Sequence, residues 1–95
     1  MLTASQKRHL RSLAHGLNPV ILTGAGGLSE NLLRELERAL EHHELVKVRV
    51  NAEDRESRDL MIESMCEAVN AELVQRIGHI AVLYRPAKEP RLKLP

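Results

Sequence analysis

Val20-Ile21-Leu22-Thr23-Gly24-Ala25-Gly26-Gly27-Leu28-Ser29-Glu30-Asn31-Leu32-Leu33-Arg34-Glu35-Leu36 runs from a short apolar stretch through a glycine turn into an amphipathic helical pattern. A strand that ends in glycines and feeds a helix offers unpaired backbone N–H groups at the positive end of the helix dipole. Such a turn accepts anions, phosphate above all. A G-x-x-G loop in this setting is also how small α/β RNA-binding modules clamp a nucleic-acid backbone. Gly24, Gly26 and Gly27 equally suit a tight turn that needs positive φ. The inner residues, Ala25 and Gly26, carry neither charge nor side-chain donor. Any grip on phosphate therefore comes from backbone N–H groups, with cations supplied by neighbouring elements. A nucleotide-binding P-loop requires Lys-Ser/Thr after the glycines, and Leu28-Ser29 stands there instead.

Upstream, Leu10, Leu13, Ala14 and Leu17 form a helical stripe over Ser5–His15, stopped by Gly16 and Asn18-Pro19. Lys7, Arg8 and Arg11 fall on the opposite side of that helix. The apolar run Val20–Thr23 reads as a strand. Downstream, Ser29 is a good N-cap, and Leu28 with Leu33 makes a hydrophobic staple. Leu32, Leu33, Leu36 and Leu40 face a core, and the helix ends near His42-His43.

Leu45–Val50 alternates cleanly, with Val46, Val48 and Val50 on one face and Lys47 and Arg49 on the other. That predicts a strand with one packed face and one wet, basic face. A third helix over Asp54–Asn70 offers Leu60, Met61, Met65, Cys66 and Val69 to the core. Leu73–Ile77 and Ile80–Arg85 read as a hairpin closed by Gly78-His79, a type II′ signature. The order αβαβαββ implies an α/β (α+β) two-layer sandwich: a four-stranded mixed sheet with three helices on one face.

Ninety-five residues make one domain, able to bury roughly 60–65% of its unfolded surface. No apolar run approaches a membrane span, and the N-terminus lacks a signal core. A lone Cys66 excludes an intrachain disulfide and suits a reducing, cytoplasmic setting. The net charge of +1 conceals asymmetry. Residues 1–29 hold three cations and no acid, residues 30–72 hold twelve acids against six cations, and residues 73–95 hold five cations against one acid. One basic and one acidic face are expected. There is no Phe or Trp, and Tyr84 stands alone. Base stacking on an aromatic platform is therefore unavailable beyond one position, and Tyr84 itself reads as a core-edge residue.

Other chemistries lack their parts. His42-His43-Glu44 places adjacent ligands about 100° apart on a helix, with no H-x-x-x-H or cysteine partner, so no zinc site is expected. Cys66 reads as a small buried hydrophobe. Arg34 and Arg38 sit among Glu30, Glu35 and Glu37, where ion pairs within the helix are expected. No nucleophile elbow or catalytic carboxylate pair is present.

Taken in order, several segments resemble the CRM (chloroplast RNA splicing and ribosome maturation) domain, and more closely its stand-alone bacterial YhbY-type form. They are Leu13-Ala14-His15 before Asn18-Pro19-Val20, the G-x-x-G at Gly24–Gly27, and Ala39-Leu40-Glu41-His42-His43-Glu44-Leu45-Val46-Lys47-Val48. Asp54-Arg55-Glu56, Ile77-Gly78 and Leu83-Tyr84-Arg85-Pro86 complete the set. The likeness runs from about Leu2 to Lys88. It implies a KH-like fold similar to the C-terminal domain of a bacterial translation initiation factor. It implies RNA binding without catalysis, association with precursors of the large ribosomal subunit, and kinship with plant intron-splicing factors. Family loops often carry a polar or basic residue inside the G-x-x-G, and this one does not.

The sequence thus predicts one CRM-type domain over 1–88 and a basic tail over 89–95. The expected RNA-binding set is Gly24, Ala25, Gly26, Gly27, Lys7, Arg8, Arg11, Lys47, Arg49 and Arg85. Ribosomal RNA is the expected partner, with ribosomal proteins as further contacts. No cofactor, metal, membrane or small-molecule substrate is expected. The competing reading is a protein–protein adaptor on the ribosome or a homodimer, joined through an exposed stretch of the apolar run Ile80–Tyr84.

Overall fold

A computed structural model describes residues 2–19, 21–23 and 27–95. Gly24, Ala25 and Gly26 of the predicted loop, and Val20 of the predicted first strand, lie outside the described residues. The elements are α1 (Ala4–Ala14), β1 (Ile21–Leu22), α2 (Glu30–His43), β2 (Leu45–Arg49), α3 (Arg55–Val69), β3 (Glu72–Ile77) and β4 (Ile80–Tyr84). The α/β class, the element order and a four-stranded mixed sheet follow the sequence reading.

Local chemistry explains the boundaries. Thr3 caps α1 in a reciprocal box with Gln6. Ser29 Oγ accepts the Leu32 N–H, and Asp54 accepts the Ser57 N–H. Asn70 ends α3 in the left-handed conformation. Gly78, with φ +56°, turns the β3–β4 hairpin; the next residue, His79, is not among the positive-φ residues, as a type II′ turn requires.

The strand order is β1-β2-β4-β3, with β1 parallel to β2 and the other pairs antiparallel. Two hydrophobic cores flank the sheet. On the first face, Ile21, Val46, Val48, Val50, Ala81 and Leu83 pack against Leu32, Leu36 and Leu40 of α2 and Ile62, Met65 and Val69 of α3. On the second, Leu45, Val74, Val82 and Tyr84 pack against Leu10 and Ala14 of α1.

The expectation of three helices on one face is therefore corrected. A sheet of four strands spaced about 4.8 Å apart is covered by two helices at about 10 Å separation. Helices α2 and α3 fill that space, and α1 takes the other side. The same arrangement corrects the edge role expected for Ile80–Tyr84. Strand β4 is apolar on both faces because it is central and buried on both, while β1 and β3 form the edges.

Two helical phases also differ. In α3, Ile62 is buried and Leu60 is 58% exposed, because the helix turns its Ile62–Met65–Val69 stripe inward. In α1, Leu10 and Ala14 are buried, whereas Leu13, and Leu17 beyond the end of the helix, remain about two-fifths exposed.

The basic C-terminal segment lies against the body. Glu44, fully buried at the α2–β2 junction with φ +64°, accepts backbone N–H bonds from Ala87, Arg91 and Leu92. Leu92 and Leu94 pack on the α1 core. Burial pushes the Glu44 carboxyl up, but those three donors and the nearby Arg91 charge outweigh it, and the net pKa is lowered.

Candidate nucleic-acid interface

One end of the sheet collects the turns of interest. Strand β1 leads into the glycine segment, β2 leads into α3, and the β3–β4 hairpin turns beside them. The N-termini of α2 and α3 follow from this topology at the same end.

The start of the glycine segment is clamped. Thr23 is fully buried. Its N–H donates to Arg49 O at 2.9 Å. Its Oγ1 accepts the Asn51 N–H at 2.9 Å, and its carbonyl accepts Asn51 Nδ2 at 3.0 Å. The far side of the turn is fixed too. Gly27 has φ +68°, and a Cβ there would stand 3.5 Å from Met61 Cε of α3. Positive φ at Gly27 is the backbone demand anticipated for this turn.

Beside it, His79 O accepts the Val50 N–H at 2.7 Å. The His79 ring lies 3.4 Å from Val50 O through Nδ1, and Arg58 Nη1 lies 3.3 Å from the same nitrogen. Arg55 and Arg58, in the first turn of α3, thus stand at the loop end of the sheet. Both were missed from the sequence, since only the fold sets the start of α3 beside the hairpin.

On the second face, Lys47 and Arg49 project from β2 on the same side as Leu45. Arg11, Ala14 and His15 of the α1 end meet Lys47, Gln75, Ile77, Ile80 and Val82 around a cleft of ≈ 170 Å³. Arg11 of the helix and Lys47 of the strand therefore share one surface, and no acid lines this cleft. Lys47 Nζ donates to Leu17 O at 3.0 Å, tying the strand to the segment that leaves α1. Among the described residues, no ion pair involves Lys7, Arg8, Arg11, Lys47 or Arg49. Lys7 is half-buried and Arg8 exposed on α1; neither lines the cleft.

Arg85 does not join this group. It lies beyond Tyr84, which pairs with Leu45 at the opposite end of β2. Its Nη1 donates to Glu37 Oε1 and to Val69 O, both at 2.9 Å, and Glu41 stands 3.6 Å from Nη2. With only 17% of its side chain exposed, it fastens the C-terminal end of α3 to α2.

The remaining candidates resolve as packing. Burial and the Glu44 charge push the Tyr84 phenol up, as its place in the α1 core requires. Burial pushes the Cys66 thiol up to about 11, away from the thiolate that nucleophilic chemistry needs. Arg34 pairs with Glu30 one turn away, 3.6 Å apart and exposed, as the helix spacing predicted.

The family model of the CRS1 / YhbY (CRM) domain matches residues 2–85. The chain belongs to the CRM family. An "RNA-binding protein" of Haemophilus influenzae is 50% identical over 94 residues, covering 99% of this chain and 95% of that protein. "Probable RNA-binding protein YqeI" of Bacillus subtilis is 41% identical over 96 residues, with both chains covered in full. The solution structure of the hypothetical protein SAV1595 from Staphylococcus aureus superposes with a TM-score of 0.86 at 43% identity, again over the whole of both chains. This CRM domain thus shares its architecture with a solved structure. Among the described residues, no helix is long and apolar enough to cross a membrane.

Proposed function

We propose that this CRM domain binds RNA, specifically ribosomal RNA in precursors of the large ribosomal subunit, and assists their assembly in the cytoplasm. The observation that carries the reading is the acid-free cleft that Arg11 and Lys47 line together, with Arg49 two residues along β2 on the same face and paired with Leu22 of the strand that enters the glycine segment. The relatives' names support the RNA; the subunit rests on the resemblance to YhbY-type proteins. Gly24–Gly27 lets the phosphate backbone approach the N-terminus of α2, whose dipole favours the anion. Arg11, Lys47 and Arg49 neutralise neighbouring phosphates, and Lys7 and Arg8 extend the positive field along α1. The domain acts by binding and not by catalysis. Ribosomal proteins are further contacts on the assembling particle.

The test is a salt titration of binding to large-subunit ribosomal RNA, with wild type and Gly26→Asp side by side. Each phosphate neutralised contributes about 0.7–0.9 to the slope of log K against log salt. A slope of about two or more, with a marked loss in the variant, supports the reading. Binding indifferent to both salt and substitution moves the function to a protein partner.

A further inference from the structure

Leu22 and Ile77 are large aliphatic side chains left mostly in water, 61% and 62% exposed. Both belong to one cross-strand row. Leu22 pairs with Arg49, Arg49 with Ile80, and Ile80 with Ile77. The row crosses all four strands, about 14 Å for three interstrand gaps. Residues paired across strands share a face, and Ile77 and Ile80 line the cleft with Arg11 and Lys47. The row therefore lies on the α1 side of the sheet, at the end where the glycine loop leaves β1. Helix α1 packs on Leu45, Val74, Val82 and Tyr84 and meets this end only along the cleft that Arg11, Ala14 and His15 line, leaving Leu22 and Ile77 in water.

A wet sheet face ordinarily presents polar side chains. This one is aliphatic toward both edges and cationic between them, at Arg49, with Lys47 two residues back on β2. Exposed apolar groups rimmed by polar ones mark interaction surfaces. Charge selects the occupant. Cations without a facing acid call for an anion, and the aliphatic side chains call for a flat, poorly hydrated surface beside it. An unpaired nucleotide carries both, a phosphate and a base whose π-face is open. The other strongly exposed aliphatic residue, Leu60, is flanked on α3 by Glu56 and Glu63 at helical spacing, so no such pairing of charge and apolar surface exists there.

We propose that unpaired RNA bases dock on the Leu22–Ile80–Ile77 row while Arg49 and Lys47 hold their phosphates. This deepens the RNA-binding reading and rests on it. It gives a chain without Phe or Trp a way to contact bases: aliphatic side chains of a sheet face in place of an aromatic platform.

The experiment measures binding of a short single-stranded RNA and of an abasic strand with the same number of phosphates. The proteins are wild type and the Leu22→Ser/Ile77→Ser double variant, with large-subunit ribosomal RNA as reference. Wild type should prefer the base-bearing strand by about tenfold, a contribution of the size of one base contact. The double variant should lose that preference and keep its salt slope. Equal binding to both strands with a steep salt slope overturns the proposal and leaves the RNA-binding reading intact. So does binding of ribosomal RNA with neither strand bound, or a folded double variant that keeps the full preference. Absence of binding to all three RNAs overturns both readings. Should the double variant fail to fold, Ile77→Tyr decides: it should tighten the base-bearing strand severalfold and the abasic strand not at all, and equal affinity with wild type overturns the proposal.

Discussion

Asn51 holds Thr23 by two hydrogen bonds, one from its backbone N–H to the threonine hydroxyl and one from its side-chain amide to the threonine carbonyl. Thr23 is fully buried, and it is the residue immediately before the glycine segment. The pair thus couples the entry to the loop to the connection between β2 and α3, which carries the start of Arg55 and Arg58. Thr23→Val keeps the volume but strands the Asn51 N–H. A buried donor left unsatisfied costs about 1–3 kcal/mol. Urea denaturation should register a loss in that range, and RNA affinity should fall with it because the loop loses its anchor.

Charge removal should separate binding residues from structural ones. Lys47→Gln and Arg49→Gln should each weaken RNA binding and lower the salt slope by about 0.7–0.9, with thermal stability nearly unchanged for the exposed Arg49. Arg85→Gln should do the reverse. It breaks bonds to Glu37 and the Val69 carbonyl, for about 2 kcal/mol of stability, and leaves the salt slope of RNA binding as it was. Fluorescence anisotropy and a denaturation curve on the same three variants check both halves.

The C-terminal segment should release in acid. The Glu44 pKa is held below its ordinary value of 4.5 in the folded protein. A depressed carboxylate contributes stability above the unfolded pKa and loses it as pH falls through the folded one. Hydrogen exchange at Ala87, Arg91 and Leu92 should therefore accelerate below about pH 4.5, the ordinary carboxylate value. Glu44→Gln turns an amide toward at least one backbone donor and should free the same three amides at neutral pH. Slow exchange of these amides in the variant would show that the carboxylate is not what holds the segment.

Gly27→Ala should cost about 1–2 kcal/mol, the penalty for an L-residue at positive φ. The Met61 methyl, 3.5 Å from the added carbon, is at ordinary contact distance and adds little. Gly27→Asn, which tolerates left-handed backbone better, should recover part of the loss in the same melt.

Two leucine-sized side chains in α3 measure what the sequence could and could not reveal. Ile62→Ala should cost 2–5 kcal/mol as a fully buried deletion, whereas Leu60→Ala should lie within about 0.5 kcal/mol of wild type. From the sequence, Leu60 was a core candidate and Ile62 was not. Leu60, Met61 and Ile62 are consecutive apolar residues, so the helical stripe can be drawn through either side. The docking of α3 against α2 and the sheet chose the Ile62 side.

The sequence by itself determined the elements and their order. Capping by Ser29 and Asp54, the alternation of Val46, Val48 and Val50, and the glycine at the hairpin are local signals, each decided within a few residues. The positive φ of Gly27 and the face of β2 that carries Lys47 and Arg49 were legible for the same reason. Only the tertiary structure decided which side of the sheet α1 would occupy, that β4 would be central, and which arginines would meet. Arg85 and Arg49 are both cations at strand ends, yet one closes an ion pair with α2 and the other faces water beside Leu22. That difference depends on sheet order, which is set by how much apolar surface two faces can bury together and is not written in any single segment.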